Sequence, residues 1–101
     1  MNTAQIRSSN ANPSMQNPLK LIAFFYAAPG AKSVGLAGDF NQWIPLPMVR
    51  LHDGWWFAEA RMCHGRHQYR FLVDGSPMLD PHAPGVDRDE HHEPVSVILV
   101  I

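Results

Sequence analysis

The 101-residue chain carries 8 basic and 9 acidic residues, for a net charge of -1, and 46% of its residues are hydrophobic. A chain of this length has room for one domain with a single modest core. The charge balance leaves no basic field for phosphate backbones or anionic lipid, which excludes nucleic-acid and membrane binding as expected functions.

The N-terminal segment differs in composition from the rest of the chain. Residues 1–18 are rich in Asn, Ser, Gln and Pro and contain only isolated apolar residues. Such a segment buries too little apolar surface to offset the entropy lost on ordering. We therefore predict a disordered tail over residues 1–18 and one domain over residues 19–101.

The remaining chain alternates short apolar runs with Pro, Gly and Asp turns, and no window keeps the period of a long helix. The Asp53-Gly54 pair predicts a hairpin turn, and residues 38–47 and 76–94 are interpreted as turns and loops. Strands are predicted at residues 20–27, 33–37, 48–51, 55–62, 66–73 and 95–101. This spacing favours an all-β, immunoglobulin-like sandwich of about seven strands in two sheets.

The strand over residues 55–62 has two distinct faces. Alternation places four residues on the side that should face the core, namely Trp56, Ala58, Ala60 and Met62. The opposite face carries Trp55 and Phe57, two large aromatic side chains that predict a contact surface.

Five motifs give the sequence a specific resemblance. They are Ala-Pro-Gly-Ala-Lys-Ser-Val at 28–34, Gly-Asp-Phe-Asn-Gln-Trp at 38–43, Asp-Gly-Trp-Trp at 53–56, Gly-Arg-His-Gln-Tyr-Arg-Phe-Leu-Val-Asp-Gly at 65–75, and Asp-Pro at 80–81. In order and spacing they resemble the early-set, isoamylase N-terminal-like carbohydrate-binding modules, and in particular the glycogen-binding domains of AMP-activated kinase β subunits. The resemblance covers residues 19–101.

The resemblance implies a non-catalytic module that binds α-glucans of the glycogen or starch type, either alone or beside a separately encoded glucan enzyme. Trp43 would stack on a glucose face, and Arg70 takes the place of a lysine that reaches sugar hydroxyls. A second stacking tryptophan of the family falls near Pro77. We therefore expect further contacts from Asn41 and from an apolar surface at Met78 or Leu79.

Each of these residues also has a structural interpretation. Trp43 could pair with Phe40 to close the end of the sandwich, and Arg70 could be an ordinary solvated arginine. The alternative function is a domain of the same fold that has lost sugar binding and acts as a homodimer or protein-interaction module through Trp55 and Phe57.

Catalysis, metal binding and secretion find no support in the sequence. Most carboxylates lie in turns rather than as a pair flanking a cleft, and no cofactor motif is present. The histidines near Cys63 and at His91-His92 lack metal-ligand spacing and are expected at the surface. A single cysteine and no signal-peptide run predict a cytoplasmic protein.

Overall fold

The computed structural model describes residues 19–101, so the predicted tail over residues 1–18 lies outside the described residues. The described chain is an all-β sandwich, which confirms the predicted fold class. Its nine strands are β1 (Lys20–Ala27), β2 (Val34–Gly38), β3 (Leu46–Pro47), β4 (Val49–Arg50), β5 (Trp55–Met62), β6 (Gly65–Val73), β7 (Ser76–Met78), β8 (Gly85–Arg88) and β9 (Pro94–Val100).

The strands form two antiparallel sheets. The smaller sheet has the order β1-β5-β4, and the larger has the order β3-β2-β6-β9-β8, with β7 also paired to β6. Two single helical turns, at Asp39–Asn41 and His52–Gly54, interrupt the strands. No helix within residues 19–101 is long and apolar enough to cross a membrane.

The core lies between the two sheets. In β5 the predicted inner face is confirmed, because Trp56, Ala58 and Met62 are buried and Ala60 packs against the core. From the larger sheet, Leu36 and Phe71 meet them and are completely buried. Burial of each large apolar side chain contributes about 1.5–3 kcal/mol before entropy is counted.

Two Asp-Gly pairs turn the chain, the first of them at the predicted hairpin. At the β4–β5 connection, Asp53 and Gly54 have φ of 63° and 77°, a left-handed conformation that suits glycine. A Cβ on Gly54 would also lie 2.6 Å from the Cβ of Pro29. The second pair, Asp74-Gly75, joins β6 to β7 directly.

The predicted strand number was too low, because three short strands occur where the sequence predicts turns and loops. These are β3, β7 and β8. Pro47 in β3 and Pro77 in β7 have no N–H to donate to the ladder. Sheets tolerate a proline only in such outer strands. β8 contains Asp87 and Arg88, so its polar sequence gave no strand signal.

A buried polar network joins the larger sheet to the loop after β7. The Tyr69 hydroxyl donates to Asp80 Oδ2 at 2.6 Å, and the Asp80 N–H donates to Ser96 Oγ at 2.8 Å. Burial, followed by the hydrogen bond and the charge of Asp80, raises the pKa of Tyr69 far above its ordinary value. The folded protein therefore strongly favours the neutral phenol.

This network predicts a loss of stability at alkaline pH. Because the folded-state pKa of Tyr69 is raised, its stabilisation is complete below the unfolded pKa of about 10 and is lost progressively above it. The urea midpoint should fall between about pH 8 and about pH 10.5 in the wild type and fall less in Tyr69→Phe. Equal pH dependence in the two proteins would contradict this assignment.

Candidate functional site

The turn between β2 and β3 carries Trp43 and is built by its own hydrogen bonds. Asn41 Oδ1 accepts from the Gly38 N–H at 2.9 Å, and Asn41 Nδ2 donates to the Leu36 carbonyl at 3.1 Å. The Trp43 N–H donates to the Gly38 carbonyl at 2.9 Å. The Asn41 amide is thus committed mainly to shaping the turn.

The backbone at Trp43 adopts a conformation that large side chains rarely adopt. Gln42 and Trp43 have φ of 55° and 60°, in the left-handed region that is costly for residues with a Cβ. Such outliers concentrate at functional sites, where the surrounding structure enforces them. Here Phe40 anchors the turn by stacking on Phe24, with ring centroids 5.7 Å apart.

Asp39 attaches the same turn to β6, a role that the sequence analysis missed. Its Oδ2 accepts from the Gln68 N–H at 2.9 Å, and its Oδ1 lies 2.7 Å from His67 Nδ1. His67 Nε2 lies 2.8 Å from the Cys63 carbonyl. The His67 side chain is largely buried rather than at the surface. No cluster of three potential metal ligands occurs within residues 19–101.

Arg70 lies on the outer face of the larger sheet, beside Trp43. The pairs Leu36↔Phe71 and Ala37↔Arg70 are consecutive, and the first is buried in the core, so the second faces outward. The guanidinium carbon of Arg70 is 4.8 Å from the Trp43 ring centroid, within the range of a cation–π interaction. The two predicted site residues are therefore in direct contact, and Trp43 is half-buried.

Asp89, which was not predicted as a site residue, holds Arg70 from the other side. Arg70 Nη2 donates to Asp89 Oδ2 at 2.7 Å, and their side chains are only 20% and 15% exposed. Asp89 Oδ1 accepts the backbone N–H groups of His91 and Glu93 at 2.8 and 2.9 Å. The Glu93 N–H, then Arg70 and the His91 N–H, hold the pKa of Asp89 below its ordinary value.

The apolar surface near residue 77 is arranged differently from the predicted one. Strand β7 pairs Phe71 with Met78 and Leu72 with Pro77. Because paired residues share a face, Met78 lies on the side of buried Phe71, away from Arg70. Pro77 lies on the side of Leu72 and Arg70. Leu79 follows β7 and is half-buried.

An apolar row crosses the outer face of the larger sheet next to Arg70. Gly35 pairs with Pro47 on one side and Leu72 on the other, and Leu72 pairs with Pro77. Pro47, Leu72 and Gly35 also line a shallow groove together with Pro45. The candidate site therefore combines an indole, a fixed guanidinium, a carboxylate and a flat aliphatic strip.

The other predicted contact surface lies on the smaller sheet. Register pairs Phe25 with Phe57 and Ala27 with Trp55 on its outer face, and Val49 also pairs with Phe57. Phe25 and Trp55 are 49% and 38% exposed, while Phe57 is half-buried. This face is separate from Trp43 and Arg70, because the two sheets meet through their inner faces.

Comparison with known proteins identifies the family to which this site belongs. Residues 22–101 match the family described as the glycogen recognition site of AMP-activated protein kinase. Among curated proteins, the 5'-AMP-activated protein kinase subunit beta-1 of Sus scrofa is 46% identical over 57 residues, which is 56% of this chain and 46% of that sequence. The human subunit beta-1 is 44% identical over 55 residues, 54% of this chain and 20% of that sequence.

The mouse subunit beta-2 is 38% identical over 58 residues, 56% of this chain and 21% of that sequence. The chain therefore spans between a fifth and a half of the length of these relatives. The family match itself covers both sheets and every residue of the Trp43–Arg70 site. The chain belongs to the family of the glycogen recognition site of AMP-activated protein kinase.

Proposed function

We propose that this domain binds α-glucans of the glycogen type without catalysing a reaction on them. The observation that carries the proposal is the contact between the Arg70 guanidinium and the Trp43 ring at 4.8 Å. It places an aromatic surface and hydrogen-bond donors at one point of an outer sheet face. The family's described role is recognition of glycogen, which requires binding alone.

The chemistry of the site suits a neutral sugar ring. The apolar face of a glucose unit would cover the exposed part of the indole, and about 100 Å² of contact at about 25 cal/mol per Å² contributes about 2.5 kcal/mol. Arg70 has five N–H donors, of which Nη2 is engaged by Asp89. The remaining outward donors would reach sugar hydroxyls at the ring edge.

One tryptophan is not enough for tight binding, because association costs an estimated 4 kcal/mol or more. We propose that neighbouring glucose units of the chain contact the row formed by Leu72 and Pro77, which stands where the family places its second tryptophan. An aliphatic strip offers contact area without an aromatic face. Binding should therefore be weak for short oligosaccharides and stronger for polymers, through repeated engagement.

The test is electrophoresis of the whole chain through native gels with and without glycogen. Glycogen and amylose should retard the protein, whereas dextran, a glucan with a different linkage, should retard it less. Equal migration in all four gels would overturn the proposal. The single exposed cysteine suits a reducing compartment, so we propose that the domain acts in the cytoplasm.

A second surface supports self-association in addition to glucan binding. Phe25, Trp55 and Val49 expose 49%, 38% and 61% of their surface on one sheet face, and contiguous apolar patches of this kind mark interaction sites. Glu59 and Arg61 lie on the same face. A two-fold axis through this face would pack the two aromatic patches against each other, so we propose a second copy of the chain as its occupant.

Self-association predicts a mass in sedimentation that rises with protein concentration. The double variant Trp55→Ala, Phe57→Ala should remain monomeric at concentrations where the wild type forms dimers. Glycogen retardation should be retained in the variant monomer, since Trp43 lies on the other sheet. A wild type that remains monomeric up to about millimolar concentration would exclude this second function.

A further inference from the structure

We propose that Asp89 is the positioning residue of the glucan site: it fixes the guanidinium of Arg70 against the Trp43 ring and keeps the site selective for neutral sugars. The inference rests on the proposed function for its effect on affinity. Its structural part concerns only the three side chains and can be tested without a ligand.

Asp89 is itself held rigidly. Its Oδ1 accepts two backbone N–H groups, from His91 and Glu93, which close the turn between β8 and β9. Its Oδ2 is left for Arg70 Nη2, at 2.7 Å. The carboxylate therefore has one oxygen committed to the turn and the other to the guanidinium, so the position of the loop determines the position of Arg70.

Arg70 depends on this partner more than a surface arginine would. The ion pair is largely buried, with 20% and 15% of the side chains exposed, and Arg70 Nε is buried without a hydrogen-bond partner. Without Asp89 the guanidinium would be an unpaired buried charge and would be more stable in water. Its movement into water would uncover the Trp43 ring. The cation–π contact at 4.8 Å would then be lost along with its orientation.

The pairing also affects which ligands the site accepts. An unpaired arginine beside an indole would attract phosphorylated or carboxylated sugars. With Asp89 ionised and in contact, the local charges cancel, and an anionic sugar would meet the carboxylate. The site as built therefore favours a neutral glucan over an anionic one.

Asp89→Asn is the sharpest test, because it can keep the hydrogen bonds within the turn and remove the one from Arg70. The asparagine Oδ1 can still accept from His91 and Glu93, whereas its Nδ2 cannot accept from Arg70. Glycogen affinity should fall about tenfold, the amount associated with one charge-assisted contact. The indole N–H NMR signal of Trp43, identified by its absence in Trp43→Ala, should shift in the free protein.

Two further variants separate positioning from a general effect on the fold. Asp87→Asn removes the same charge from the neighbouring pair with Arg66 and should change neither the affinity nor the Trp43 signal. In an Arg70→Met background, Asp89→Asn should cause no additional loss of affinity, because its partner is already gone. Asp89→Ser, which can also cap the turn, serves as a second variant if Asp89→Asn does not fold.

The outcomes distinguish this inference from the proposed function. Wild-type affinity in Asp89→Asn, or an unshifted Trp43 signal, would overturn the positioning role while leaving glucan binding intact. An equal loss with and without Arg70 would overturn it as well. If the wild type binds no glucan, the proposed function fails, and the Trp43 signal alone decides whether Asp89 positions the pair.

Discussion

Replacing Trp43 with alanine is expected to abolish the retardation of the protein by glycogen. The substitution removes the aromatic surface and also the ring against which Arg70 is held. Loss of about 2.5 kcal/mol of contact energy corresponds to an affinity lower by about 50-fold or more. Stability should change little, because Trp43 is only half-buried and its left-handed backbone suits alanine no worse than tryptophan.

The control is Trp55→Ala, which removes an indole from the outer face of the smaller sheet, where Trp55 is 38% exposed. Glycogen should still retard this variant relative to its own migration without glycogen, while Trp43→Ala should migrate equally with and without glycogen. If Trp43→Ala is still retarded, the indole has only a packing role. Retention of binding would then indicate that glucan contacts the groove beside Leu72 and Pro77.

Gly38→Ala is expected to destabilise the fold and disable the site together. A Cβ at this position would lie 2.4 Å from the Phe40 ring and 2.8 Å from the Gln68 carbonyl oxygen. This oxygen belongs to the backbone of β6. Overpacking of this kind costs about 1–3 kcal/mol. Because Phe40 anchors the turn that carries Trp43, its displacement should also weaken glucan binding.

Urea unfolding measures this effect, and Gly30→Ala provides its control. No heavy atom lies within 4 Å of a Cβ built on Gly30, so alanine there should leave stability unchanged or raise it slightly. The Gly38→Ala midpoint should fall well below the midpoints of both the wild type and Gly30→Ala. Equal midpoints for the two variants would show that the Phe40 ring relaxes without cost.

The sequence predicts the long strands well and the short ones poorly. β1 and β5 begin and end at the predicted residues, because each has a strong apolar or alternating pattern. β7 and β8 contain Pro77 and Asp87 and are strands only because β6 and β9 provide partners for them. Pairing of this kind is a tertiary effect that local composition does not reveal.

The candidate site could be predicted only in part, for a related reason. Trp43 and Arg70 each belong to a recognisable sequence motif, and the structure brings the two side chains into contact. The strand register places Met78 on the face of Phe71 and Pro77 on the face of Leu72, a difference that the sequence motifs do not reveal. Asp89 contacts Arg70 across 19 positions of sequence, and no short-range pattern connects two residues so far apart.

The prolines in the outer strands have a consequence for solubility. Open strand edges can pair with other molecules and start aggregation, and prolines and charges are the usual protection. Pro47 and Pro77 interrupt the edges of β3 and β7, and β8 is charged. β1 has an open edge with Lys20 as its only charge, so aggregation at high concentration should begin there, and Ala23→Lys should delay it.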